Sequence, residues 1–531
     1  MNKHNFFSSK SVNFALFFLF VVYAIVLLRA AWVNEDAYIT MRTVDNFIHG
    51  YGLRWNVAER VQTFTHPLWL FLISIFYFFT NEAFYTLMFV SYITSLAVFF
   101  AIAVHIKKPK LASLAALTIL IFSKAYVDFA SSGFENPATH LLLAVFLALF
   151  LENADDNFSN GRSIFFMGLL ASLAATNRMD TVLFFVPSLL LIFIKRPKLD
   201  ALKYVLLGFL PFIIWEIFSI VYYGFPFPNT AYAKLYTGVP RRDLIEHGVL
   251  YVLNSLNWDP LTLLTISAGV GLALIQGTWK ERSVAIGVLL YVSYVVWIGA
   301  DYMSGRFFSA ALVVSVILLI RQFRNARLTE GYIILVLIFA IAFASPTPTL
   351  MNAVEGYSTS PGRVDVNKIV DWRTSSFQTS GLLAAQKGVA QPHHPWALEG
   401  LHFKQINRKF VIYSNVGYVG YFAGPQVYII DPYALTDSFL ARLKPIKKPD
   451  WFVGHFDRAI PNGYLDTLKK GTNLFENRGL GEFYEKMTLI VRGPIFSWER
   501  FVAIWKMNTG QYDYLLKEYE KSQDKNASLS E

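Results

Sequence analysis

The 531-residue chain contains no cysteine, which excludes disulfides, thiolate chemistry and cysteine-based metal sites. It is also poor in charge, with 16% Asp, Glu, Lys and Arg where a soluble domain carries about a quarter. No GxxxxGK[ST] or GxGxxG stretch occurs, nor a Ser/His/Asp signature, so a soluble nucleotide-sugar domain has no support. What the chain has instead is apolar: 54% of residues are hydrophobic and Phe alone occurs 48 times. That composition predicts a polytopic α-helical membrane protein. The net charge of +10 suits nucleic acid in principle. Lys and Arg, however, fall mostly in short loops between apolar runs, the mark of membrane topology.

Apolar stretches fall at 13–31, 83–105, 111–127, 137–152, 163–176, 181–195, 202–222, 261–277, 284–299, 306–321 and 331–345. The first, after Lys3 and Lys10, reads as a retained signal anchor. Pro67–Thr80 reaches only about 21 Å as a helix, against a hydrocarbon core of about 30 Å. If it dips in and returns, the clusters at Lys107/Lys108/Lys110, Lys195/Arg196/Lys198, Lys280/Arg282 and Arg321/Arg324/Arg327 share the cytoplasmic side. If it crosses, all four move outside, against the positive-inside rule. The returning version gives about 11 spans, with the N-terminus cytoplasmic. Residues 1–345 then form a transmembrane domain with an external loop at 32–82, and residues 346–531 an external segment.

The same choice gathers polar groups from distant positions at the external face. They are Glu35 and Asp36, His66 in THP, Glu135 in GFENP, Arg178 and Asp180 in TNRMD, Lys234, and Asp301 with Arg306 in GADYMSGRFF. Acids at the mouth of a span are costly beside lipid and raise a functional-site hypothesis. Transfer of a sugar from a lipid phosphate needs one carboxylate to take the proton of the attacking hydroxyl. Asp36 is the first candidate and Glu35 the second. The alternative is that both merely complement a helix dipole. Lys234 and Arg306 are the main phosphate-binding candidates, because a fixed cation stabilises the departing charge. An Asp301–Arg306 salt bridge, an Arg178–Asp180 pair and ordinary capping by Glu135 are the structural readings. His66 either bonds a phosphate or caps the next helix, and Arg42 reads as a local helix ion pair with Asp45. His393 and His394 lack ligand-spaced companions. The acid pair with Asp180 and Asp301 offers oxygens to a divalent cation, a kind of site without a spacing signature.

In the external segment FVIYSNV (410–416), QVYIIDP (426–432) and KMTLIVRG (486–493) read as three short strands, giving a small α/β domain. Leu435-Thr436-Asp437 and the GHFDR run containing His455 are its most site-like clusters. A lipid-linked sugar transporter would place charge mid-membrane in repeated halves, and no internal repeat is seen. A non-catalytic assembly or motor-control factor is the remaining class.

NEDAYITMR, HGYGLRWNVAERV and FTHPLW resemble the first external loop of GT-C type glycosyltransferases. The nearest group is that of the mycobacterial terminal β-(1→2)-arabinofuranosyltransferase and related bacterial membrane proteins. GFENP, TNRMD, GADYMSGRF, VGYVGYFAG, LTD and GHFDRAIPNGY follow in the same order as that group's later motifs. The resemblance implies a polyprenyl-phosphate pentofuranose donor, such as arabinofuranose, and a cell-envelope glycan acceptor outside the bacterial inner membrane. It places Asp36 at the catalytic acid position and Glu35 beside it, where related loops often carry two Asp. It also implies that the periplasmic C-terminal domain binds glycan, with Asp437 and His455 as acceptor-binding candidates.

Overall fold

The computed structural model describes residues 9–106, 111–153, 158–196, 199–235, 237–351, 367–448 and 451–530. Contacts divide the chain into two compact units, each built from three separate stretches. One takes Met1–Asn34, His66–Phe212 and Val239–His394; the other takes Glu35–Thr65, Ile213–Gly238 and Pro395–Glu531. A single cut at residue 345 does not describe this division.

Every apolar stretch read from the sequence falls on helix, 111–127 on two, Leu111–Phe122 and Lys124–Phe129, and 202–222 on two, Leu199–Gly208 and Leu210–Tyr222. Among the described residues three helical segments are long and apolar enough to cross a membrane, Asn13–Ala30, Ala83–Ala103 and Phe308–Asn325, or up to five if each of two bent pairs is one span. In the first unit, helix Phe308–Gln322 is buried from Phe308 to Ile320. An element apolar all round sits at the centre of a bundle. The 14-residue helix Pro67–Thr80 stands where the sequence placed it. Pro67 opens its first turn and Asn81, at φ 46°, closes it in the left-handed region. Its Trp69 indole donates to the Gly133 carbonyl at 2.9 Å.

At other helix ends of this unit, charge ties the elements together. Glu152 accepts from Arg321 and, at 2.8 Å, from Arg324, while Arg321 Nε reaches Glu281 at 2.7 Å. Arg321 and Arg324, read from the sequence as topology signals, are thus also interhelix ties.

The second unit is mostly helical. Its strands Phe410–Ile412 and Tyr428–Ile430 pair in parallel around helix Val416–Ala423. The expected third strand, KMTLIVRG, is instead the end of helix Arg478–Arg492. Its buried residues Leu480, Phe483, Tyr484, Met487, Ile490 and Val491 recur every three or four positions. That period is helical, and a window of eight residues hides it. Asn477 fixes the start by accepting the Leu480 N–H at 2.9 Å.

Candidate functional site

Each unit holds a polar cluster. The first unit's is centred on Glu135, the residue preceding helix Asn136–Leu151, whose side chain is fully buried. Arg178 Nη1 donates to Glu135 Oε1 at 2.9 Å, Arg306 Nη2 lies 3.7 Å from the same oxygen, and His66 Nδ1 lies 3.4 Å from Oε2. Each guanidinium has a second carboxylate. Arg178 grips Asp180 with two bonds of 3.0 and 2.5 Å, and Arg306 Nη1 donates to Asp301 at 3.2 Å. Arg306 lies over the Phe134 ring at 4.1 Å, and Arg178 over Phe307 at 4.8 Å. Burial would raise the Glu135 carboxyl, but His66, Arg178 and Arg306 overrule it and hold its pKa at about 2. His66 is pushed down, first by burial and then by the two arginines against the pull of Glu135, so the imidazole is neutral near pH 7. The arginine and aspartate side chains are 11–15% exposed while Glu135 is not. The cluster thus has a sealed base and a wetted rim.

The second unit's cluster is the acid pair. Glu35 is buried and accepts the backbone N–H of Gly417 at 2.5 Å and of Tyr418 at 3.2 Å. Its carboxylate sits on the amino end of helix Val416–Ala423, where backbone dipoles favour an anion. The approach needs glycine, since a Cβ on Gly417 would lie 2.1 Å from the Glu35 carbonyl oxygen. Burial and neighbouring Asp36 push the Glu35 carboxyl well up, against the Gly417 and Tyr418 N–H groups. Asp36 is only partly covered and immediately precedes helix Ala37–Ile48. Glu35 is the enclosed acid and Asp36 the partly exposed one.

Two curated proteins are similar to the chain, both named terminal β-(1→2)-arabinofuranosyltransferase. The one from Mycobacterium tuberculosis is 26% identical over 271 residues, 47% of this chain and 42% of its own length. The one from Corynebacterium glutamicum is 23% identical over 328 residues, 54% of this chain and 48% of its own. The chain is related to the terminal β-(1→2)-arabinofuranosyltransferases. The matches span somewhat under half the length of these relatives. No protein-family model matches the chain, and no solved structure does.

Of the candidates read from sequence, His66, Glu135, Arg178, Asp180, Asp301 and Arg306 come together in the first unit. Glu35 and Asp36 lie in the second unit, as does Lys234, which is exposed on helix Asn229–Leu235. Asp437 is buried: it accepts the N–H groups of Phe439 and Leu440 and the Tyr464 hydroxyl at 2.8 Å. His455 meets the Tyr433 ring edge at 5.0 Å and the Val453 carbonyl at 3.2 Å. Among the described residues no group of three or more His, Asp or Glu is arranged to hold a metal. The carboxylates around Glu135 are turned to guanidinium groups, so a divalent cation there would have to displace Arg178 or Arg306.

Arg42 is not the helix ion pair its spacing suggests. It donates to the carbonyls of Trp55, Gly420 and Val427 at 2.9, 2.9 and 2.7 Å and stacks 4.1 Å from the Trp55 ring. Asn177 was missed by sequence reading: it holds the Glu135 carbonyl at 3.0 Å and Thr139 at 2.9 Å. Ser309 was missed as well, and it accepts from Asn136 at 3.1 Å. Asn177 directly precedes Arg178 and Asn136 directly follows Glu135, and amides flanking both candidate charges were the available signal.

Proposed function

We propose that the protein is a membrane glycosyltransferase that moves a pentofuranose, arabinofuranose by analogy with its relatives' names, from a polyprenyl-phosphate donor to a cell-envelope glycan at the external face. The relation to the arabinofuranosyltransferases carries this reading. In it Asp36 takes the proton of the acceptor hydroxyl as that oxygen bonds to the anomeric carbon. The bond from that carbon to the phosphate oxygen breaks, and the electron pair leaves with the polyprenyl phosphate. Glu35, fixed by Gly417 and Tyr418, holds the acid pair in place.

Arg178 and Arg306 serve the anionic headgroup. A guanidinium has five N–H donors; Arg178 gives three to Asp180 and Glu135 and keeps two for phosphate. The aspartates fix the guanidinium planes, which is the preorganisation a developing charge needs. His66, neutral beside them, supplies a bond rather than a charge.

The test uses membranes supplied with a radiolabelled polyprenyl-phosphate pentose. Asp36→Asn should abolish transfer while thermal stability stays that of the parent. Wild-type-like transfer by Asp36→Asn would refute the assignment. The cysteine-free background also allows Asp36→Cys and Arg306→Cys to be labelled one at a time, and labelling from opposite sides of the membrane would end the enzymatic reading.

A further inference from the structure

Helix Trp498–Asn508 turns Arg500, Ala503 and Ile504 to the interior of the second unit. At 100° per residue, Trp498 and Trp505 stand directly opposite that face. They are 77% and 67% exposed, and Phe496, just before the helix, is 82% exposed. Seven residues of helix place the two indoles about 10.5 Å apart along one line. Three large aromatic side chains this exposed on one side of a helix and just before it mark a surface that meets something other than water.

The same helix is tied to the carboxyl end of an apolar one. Arg500 Nη1 donates to the Val221 carbonyl at 2.7 Å and Nη2 to the Tyr222 carbonyl at 2.9 Å. Asn508 donates to the Gly224 carbonyl at 2.8 Å. Gly224 has φ +90°, and a Cβ there would lie 2.3 Å from Ile490, so the turn is pressed onto the unit. The tied helix, Leu210–Tyr222, exposes Ile213, Ile214, Ile217 and Ile220 along one stripe. Such a stripe is a lipid-facing surface. Helix Trp498–Asn508 is therefore fixed where a membrane helix leaves the hydrocarbon, the level at which tryptophan concentrates.

We propose that Trp498, Trp505 and Phe496 form an interfacial anchor that seats the C-terminal part of the second unit on the bilayer. The occupant of the face is lipid at the headgroup–acyl boundary. The bonds of Arg500 and Asn508 to the carboxyl end of that apolar helix and the turn after it, which set the level of the rings, favour lipid over a sugar chain stacked on them. This rests on Leu210–Tyr222 lying in the membrane and is independent of the enzymatic reading.

The chain has no cysteine, so single thiols report without background. Trp498→Cys and Trp505→Cys, labelled with a fluorophore in nanodiscs of the full chain, should lose fluorescence to lipids carrying a shallow nitroxide and resist aqueous iodide. Ile217→Cys should respond to a deep nitroxide, and Gln405→Cys, at an exposed position, to iodide alone. Labels at 498 and 505 that behave like the one at 405 would overturn the anchor. So would labels that become shielded only when soluble envelope glycan is added, which would mark a sugar platform. An iodide-quenched label at 217 would overturn the proposal together with the membrane placement of its helix.

Discussion

Glu135→Gln is the sharpest perturbation of the first unit. Glutamine keeps the volume and one oxygen for Arg178, so the change is one of charge. In the native unit three carboxylates face two guanidinium groups; the variant leaves Arg178 and Arg306 with one aspartate each. The gap between an ordinary 4.5 and the native value of about 2 corresponds to about 3 kcal/mol. That agrees with the roughly 3–5 kcal/mol lost when one member of a buried ion pair is removed. For a unit of this size the loss lowers the melting temperature by on the order of 4 °C, readable by tryptophan fluorescence in nanodiscs. The native pKa is depressed, so the stabilisation is fully present above about pH 4.5 and is lost as pH falls towards about 2. The difference between parent and variant should therefore be full at neutral pH and narrow through that window. Equal melting temperatures at neutral pH, or a difference that ignores pH across the window, would refute the assignment of Glu135 as the ionised centre.

Other outcomes follow from the second unit and the rim. Gly417→Ala forces a methyl against Glu35 and should cost about 1–3 kcal/mol, seen as a lower melting temperature and earlier proteolysis of the C-terminal region. Arg42→Met removes three bonds from a charged donor to carbonyls, each worth about 1.5–3 kcal/mol. It should unfold the second unit in limited proteolysis, and Arg42→Lys should not rescue it because an ammonium lacks the planar fork. Arg178→Lys keeps the charge but loses the two-bonded grip on Asp180, so it should lower the melting temperature modestly and raise the KM for the lipid donor in the radiolabel assay. An unchanged KM would remove Arg178 from headgroup binding.

The helices were legible because long apolar runs in a charge-poor chain have few alternatives, and Pro67 and Asn81 sit where a 14-residue helix starts and stops. The meeting of Glu135 with Arg178 and Arg306 was half legible, since charges at the ends of several apolar helices are costly to leave apart. Arg42 was not. Its bonding partners Gly420 and Val427 lie 378 and 385 positions away, while Asp45, three residues on, offers the obvious local pairing. Asn56 was equally silent in sequence: it bonds both the N–H and the C=O of Ile429, standing in for a neighbouring strand. KMTLIVRG failed because a run of eight is too short to separate a period of two from one of 3.6.

Residues 35–65 belong to a unit whose largest piece, Pro395–Glu531, is made last. During synthesis Arg42 and Arg60 must therefore wait, their main carbonyl partners at Gly420, Val427 and Gly493 not yet translated. A ribosome stalled before residue 395 should leave that early loop open to protease, and expressing residues 346–531 alone should yield an aggregate, because two of the three strips that close its core are missing.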